Sequence, residues 1–255
     1  MTITSSPVVP STTYWRSTRE PRYALLFALP LFIFYQLLVL LQPVGPAGSW
    51  RNGADVLLQQ FFITLAGSRG PLLFLITLNV AGVWIVARDL RRHPGALRPR
   101  YFWLMFLEAA VLAFVVGIAV GTLTTQLVRP PTGLAINVAV PADASLSTRM
   151  MLAIGAGLYE ELLFRVLLVG ALALLARKAF RWRPAVAGAV AAGVGAFAFA
   201  TFHYIGPGSD PLELYSFVFR TLGGLFFSAL FLLRGFGITA WTHSLYDILV
   251  MVVQA

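Results

Sequence analysis

Met150 to Ala176 reads MMLAIGAGLYEELLFRVLLVGALALLA, and the fold turns on how its middle is explained. Glu160, Glu161 and Arg165 are the ionisable residues of a run that is otherwise almost wholly apolar. A helix on the surface of a soluble protein carries such a triplet at no cost. At the centre of a bilayer each charge costs roughly 2.5–3.5 kcal/mol on insertion scales. A membrane helix therefore keeps the triplet only where the charges meet each other, water or a substrate.

The rest of the chain points to the membrane. It is 58% hydrophobic and 11% charged, with a mean hydropathy of +0.80, whereas soluble domains are about 25% charged. Several apolar stretches reach the ~20 residues that span a hydrocarbon core of ~30 Å at 1.5 Å per residue. A soluble all-α protein lacks repeated spans of this length. The pattern predicts an all-α, polytopic membrane helix bundle of about seven transmembrane helices, at 23–42, 71–88, 101–128, 147–176, 184–205, 212–233 and 237–254. Residues 21–255 form a single bundle with no internal repeat. The Ser-, Thr- and Pro-rich segment 1–20 is expected to be a disordered cytoplasmic tail. The run Tyr23 to Leu41 is longer than the apolar region of a signal peptide and reads as a retained first span. The shorter segment Ala54 to Leu65, with Asp55, Gln59 and Gln60, is expected to lie in the interface or to fold back on the bundle.

The net charge of +9 does not imply nucleic acid, because the basic residues sit in short clusters between spans. Arg16, Arg19 and Arg22; Arg88, Arg91, Arg92, Arg98 and Arg100; Arg177, Lys178, Arg181 and Arg183; and Arg234 all fall on one side. Arg51, Arg69, Arg129 and Arg149 fall on the other. The positive-inside rule then sets the N-terminus in the cytoplasm and the C-terminus outside, in what is expected to be a bacterial inner membrane. Trp15, Trp84, Trp103, Trp182 and Trp241 are expected at inner boundaries and Trp50 at an outer one. The absence of cysteine excludes disulfides, thiolate zinc sites and a cysteine nucleophile. Gly117-xxx-Gly121 and Gly188-xxx-Ala192 permit close helix contact and read as internal packing. They assign no oligomeric state.

Ionisable residues within the later spans are functional candidates by default: Glu160, Glu161, Arg165, His203, Arg220, His243 and Asp247. Glu161 and Arg165 stand at i,i+4, acid first, the favourable order for an ion pair. Glu160 lies about 100° round an α-helix from Glu161 and is left to point elsewhere. His243 and Asp247 also stand at i,i+4 and share a face. Two adjacent carboxylates do not both ionise cheaply in low dielectric, and Arg165 relieves one of them. Glu160 is then free to take a proton from water, with a histidine beside it to share that role. A second histidine can donate to an oxyanion forming at a carbonyl. Outside this set, Glu108 is expected to be structural, Arg220 to snorkel or pair with Glu213, Asn79 to bond between helices and His93 to be solvated.

Three motifs occur in order on separate predicted spans: Glu160-Glu161-xxx-Arg165, Phe199-xxx-His203 and His243-xxx-Asp247. Each alone is weak, and together they are fairly specific. Over about residues 147–254 the chain resembles the CPBP family, the CAAX proteases and bacteriocin-processing enzymes, also called Abi. The resemblance makes 147–254 the catalytic core and implies an intramembrane endopeptidase acting on a membrane-associated protein or peptide. The scissile bond would lie near the substrate's C-terminus or in its leader. By it, Glu160 would activate water with help from His203, His243 and Asp247 would stabilise the oxyanion or position substrate, and Glu161 and Arg165 would organise the site. The chain departs from the prenyl-protein proteases of the family in having Asp247 where they carry Asn. An ionised carboxylate has no hydrogen to donate, so Asp247 is expected instead to orient His243.

No cofactor is expected, although Glu160, His203 and His243 have the composition of a His₂Glu zinc site. There is no His-Glu-xx-His helix motif. The alternatives are a proton-coupled transporter using Glu160, His203 and His243 as a relay and a non-catalytic immunity or partner protein of the same family. Depth is the remaining question. Ideal straight helices set His203 close to the outer end and His243 about 10 Å from the inner end. Bringing them together requires tilt, a break near Gly206-Pro207-Gly208, or a shift around Gly223-Gly224.

Overall fold

Every regular element of the computed structural model is helical, and it describes residues 14–42, 50–129, 144–206 and 209–253. In chain order the elements are α1 (Tyr14–Ser17), α2 (Pro21–Leu40), α3 (Gly53–Ala66), α4 (Gly70–Arg92), α5 (Pro99–Leu127) and α6 (Leu146–Gly155). A π-helical segment (Ala156–Val169) follows, then α7 (Gly170–Lys178), α8 (Pro184–Phe202), α9 (Leu214–Arg234) and α10 (Phe236–Val253). Pro21, Pro99 and Pro184 open their helices, where the missing N–H costs nothing. Five stretches are long and apolar enough to cross a membrane: Pro21–Leu40, Gly53–Arg92, Pro99–Leu127, Pro184–Phe202 and Leu214–Arg234. The run from Leu146 to Lys178 and α10 are of comparable length and carry the buried ionisable residues.

Lipid-facing stripes are plain at helical spacing: Val186, Val190, Val194 and Phe197 on α8, and Val111, Phe114 and Ile118 on α5, are all exposed. The polar residues turn inward. α10 is the central element, packed against α2, α5, α6, the π segment and α9, and it buries Thr239, Thr242, His243 and Ser244. The chain is thus an all-α polytopic membrane bundle with an apolar exterior and a polar spine.

The basic clusters meet at one end. The Arg22 backbone and side chain reach Asp89 and the His93 carbonyl, the Arg98 N–H donates to Tyr23, and Arg19 donates to the Leu232 carbonyl. Residues 1–13 of the expected disordered tail lie outside the described residues, which take in 14–20. Residues 14–20 form α1 and a turn, with Ser17 and Thr18 buried. The reason is Arg234, expected between the last two spans on the basic side. It is 1% exposed and binds Glu108 with Nε and Nη2, at 2.5 and 2.7 Å, the Trp15 carbonyl with Nη1 and Thr18 with Nη2. Its guanidinium also stacks 3.9 Å from the Trp15 ring. Burial and the Glu108 carboxylate push the Tyr14 hydroxyl well above its usual range, and it stays a donor to Glu108.

Other expectations shift in detail. The segment 54–65 does fold back: α3 runs against α4 through a turn in which Gly67 has φ +56°. A Cβ on Gly70 would lie 2.4 Å from the Ile63 nitrogen, so only glycine permits the hairpin. Trp241 stacks on Phe27 and donates to the Phe27 carbonyl. Asn79 bonds the Leu75 carbonyl of its own helix. Arg220 pairs with Asp210, not Glu213. His93 is exposed and caps its helix beside Asp89.

Candidate active site

The Glu-Glu-xxx-Arg run lies in the π segment, where hydrogen bonds close at i→i+5 and each residue turns through less than the 100° of an α-helix. The Gly170 N–H reaches back to the Arg165 carbonyl in this pattern. Such segments are rare and concentrate at functional sites. The sequence permits this one because Gly155-Ala156-Gly157 puts almost no side chain at its start. A Cβ on Gly157 would lie 2.1 Å from Ser244 Oγ and 2.4 Å from the Ala240 carbonyl. The backbones of the π segment and α10 are therefore in direct contact, and that brings His243 to the acidic pair.

Within the π segment the two glutamates take different partners. Glu161 and Arg165 are both 0% exposed, and Glu161 Oε1 lies 3.1 Å from Arg165 Nη1. The same oxygen accepts from His243 Nδ1 at 2.6 Å. Arg165 is held by little else: Nη2 donates weakly to the Gly224 carbonyl at 3.4 Å, and the guanidinium lies 4.4 Å from the Phe199 ring. Among the described residues, Arg165 Nε and Nη1 and Glu161 Oε2 have no aligned hydrogen-bond partner. The Glu161–Arg165 contact is thus a charge pairing without good hydrogen-bond geometry. Glu160, 7% exposed, turns away from this pair and accepts from Asn52 Nδ2 at 2.9 Å.

His203 caps the C-terminus of α8. Its Nδ1 lies 2.9 Å from the Phe199 carbonyl. A carbonyl only accepts, so Nδ1 carries the hydrogen and the neutral ring keeps its lone pair on Nε2. Phe199 lies between the two histidines, with ring centroids 4.9 Å from His203 and 6.2 Å from His243. Both histidines are within electrostatic reach of Glu160. The depth problem is thus solved without a break in α8 above His203; Pro207 and Gly208 lie outside the described residues. The close approach of α8 and α9 contributes: a Cβ on Gly224 would lie 2.9 Å from Ala196 Cα. Phe227, one turn further along α9, stacks on the His243 ring at 4.3 Å.

Asp247 corrects one expectation. It lies 3.7 Å from His243 Nε2, close enough to interact by charge and too far for a hydrogen bond. The group that fixes the His243 ring is Glu161, through Nδ1. Arg220 joins the neighbourhood by holding Asp210, whose N–H donates to the His203 carbonyl. Sequence reasoning missed Asn52, Tyr35 and Asp55. Asn52 is the N-cap of α3, its N–H donates to Tyr35 Oη at 3.3 Å, and that hydroxyl donates to Asp55 at 2.7 Å. Asn52-Gly53 before a segment with Asp55 in its first turn is a helix-start signal. That signal predicts the cap, but not the distant glutamate it faces.

Glu160, His203 and His243 are the residues with which a His₂Glu zinc site would be built. Among the described residues, no three His, Asp or Glu side chains are gathered as a metal ion requires.

Residues 143–249, about two-fifths of the chain, match the family model described as Type II CAAX prenyl endopeptidase Rce1-like. No curated protein and no solved structure matches the chain. All three motifs fall inside the matched region. The family is one of membrane proteases acting on proteins or peptides, in keeping with the apolar helices that make this an integral membrane protein. Over residues 143–249, which hold every motif of the site, the chain is similar to the Type II CAAX prenyl endopeptidases.

Proposed function

We propose that this protein is a glutamate-type intramembrane endopeptidase in which Glu160 activates water. The observation that supports this reading most is the separation of the two acids. Glu161 is committed to Arg165 and His243, while Glu160 lies within electrostatic reach of both histidines and has one neutral donor on it. Glu160 takes a proton from water as the oxygen attacks the scissile carbonyl carbon. The carbonyl oxygen becomes an oxyanion, and His243, with a proton on each ring nitrogen and held through Nδ1 by Glu161, donates its Nε2–H to it with Asp247 alongside. The proton passes to the amide nitrogen from Glu160 or through His203 Nε2, the C–N bond breaks, and an acid and an amine leave. Glu161 and Arg165 organise the site. No step uses a metal.

The substrate on this reading is a membrane-associated protein cut near its C-terminus or in its leader. The site's half of the bundle is the one opposite the basic clusters. With a cytoplasmic N-terminus and an outer C-terminus, in a bacterial inner membrane, Glu160 lies nearer the outer face. Since the chain has no cysteine, single cysteines at Arg51 and at Arg181 test this directly by labelling of intact cells; labelling at 181 and not at 51 would reverse the orientation.

The deciding experiment incubates purified protein with farnesylated and unmodified CAAX peptides and with membrane-anchored leader peptides. Wild type is expected to cleave at least one, and Glu160→Gln none, with both proteins equally folded. Equal cleavage by the two sinks the role of Glu160. Cleavage of none by wild type sinks the protease reading and leaves the proton-coupled transporter or non-catalytic partner. Loss of activity on exhaustive chelation, restored by zinc, would replace the metal-free mechanism.

A further inference from the structure

The residue nearest in kind to a dedicated partner for Glu160 comes from outside the region that matches the family. Asn52 is 6% exposed and stands at the start of α3. Its Oδ1 accepts the Ala54 N–H at 2.9 Å, which settles which end of the amide is which. Nδ2 is then the donor to Glu160 Oε1 at 2.9 Å. Asn52 is itself held on three sides. Its oxygen is tied to the helix start, its N–H to Tyr35 Oη, and its Cβ packs where a Cβ on Gly155 would lie, 2.8 Å away. Tyr35 is fixed in turn by Asp55, which binds Arg51 and Gln59. This is a rigid mount for a single N–H.

We propose that Asn52 is a positioning residue for Glu160, resting on the reading of Glu160 as the base. A hydrogen bond to a charged acceptor is short and directional. One neutral N–H on Oε1 sets the carboxylate plane and leaves Oε2 for water. An arginine at the same place would pair with the carboxylate and blunt it as a base. Arg165 is drawn off by Glu161. The N-terminal helices thus contribute a group to the chemistry of the C-terminal motifs.

Capping and positioning make opposite predictions for one set of variants. Asn, Asp and Ser cap helices about equally well. Only Asn also has an N–H to give Glu160, and Asp would set a second carboxylate against it. With the best-cleaved peptide of the panel above, Asn52→Ser is expected to lower kcat about 10- to 100-fold and Asn52→Asp at least as much. KM should stay at the wild-type value in both, and the thermal unfolding midpoint in detergent should do so in Asn52→Ser, while Asn52→Asp also carries the cost of two adjacent carboxylates. Asn52→Ala, which loses both functions, shows what a lost cap does to stability. Wild-type kcat in either Ser or Asp, or kcat losses that track lost stability across all three variants, would overturn the proposal. Glu160→Gln run alongside separates the failures. If it is inactive while Asn52→Ser is normal, only the positioning role is lost; if it cleaves normally, the assignment of Glu160 falls and Asn52 falls with it.

Discussion

Arg234 and Arg165 are each buried in this bundle beside a glutamate, and they are treated in opposite ways. Arg234 uses Nε, Nη1 and Nη2 on Glu108, the Trp15 carbonyl and Thr18, and stacks on Trp15 besides. Arg165 has one long bond to Gly224, a charge contact with Glu161 that is poorly aligned, and the Phe199 face. The first cluster is saturated and joins α1, α5 and α9 at the basic end. The second is under-satisfied, lies in a π-helical segment and adjoins three more titratable groups. A buried charge pair adds stability only when its remaining hydrogen-bonding groups are also met. By that measure the Arg234 cluster is a fastening, and the Arg165 cluster is kept for something other than stability.

Exchanging the same residue types in the two places should separate them. Glu160→Gln is expected to lower peptide cleavage about 10²- to 10⁴-fold, measured by product formation, whereas Glu108→Gln leaves turnover per folded molecule at the wild-type level. Arg165→Met leaves the buried Glu161 with His243 as its remaining partner, and should cost about 3–5 kcal/mol in detergent unfolding together with activity. Arg234→Met should cost less, because the Glu108 side chain is 19% exposed and can rehydrate, and its folded fraction should still cleave. Gly157→Ala forces α10 off the π segment, with an expected loss of about 1–3 kcal/mol and a larger fall in kcat than in stability, read by comparing the two assays. The smallest effect belongs to the joint change Glu108→Leu with Arg234→Met. Replacing a whole pair by apolar residues is often neutral, so its unfolding midpoint should lie close to wild type with cleavage intact. The equivalent joint change at Glu161 and Arg165 should abolish cleavage whatever it does to stability.

Much of the bundle could be read directly from the chain. Spans are long, and their apolar periodicity is a local property, so most boundaries fall within a few residues of the observed helices. The i,i+4 spacing of Glu161 and Arg165 is local too. What failed were residues whose partners lie far away in sequence. Arg234 looked like a loop cation because nothing near it in the chain reveals Glu108, 126 positions away. Residues 14–20 looked disordered because their order comes from that same arginine. The 100° between Glu160 and Glu161 assumed α-helical winding, and the π segment follows from a close contact with α10 that no local pattern encodes.

By itself, the sequence determined that the chain lives in a membrane, which spans it would form, and which few ionisable residues those spans carry. The cause is solvent: hydrocarbon penalises every polar group, so composition and period alone select helices and mark the exceptions. Only the tertiary structure decided the pairings. It gave His243 to Glu161 rather than to Asp247, set both histidines about Phe199 at the depth of Glu160, and brought Asn52 across 108 positions to the carboxylate. Those choices depend on which helix faces which and on where small residues let backbones touch, and packing of the whole chain is the first level at which either exists.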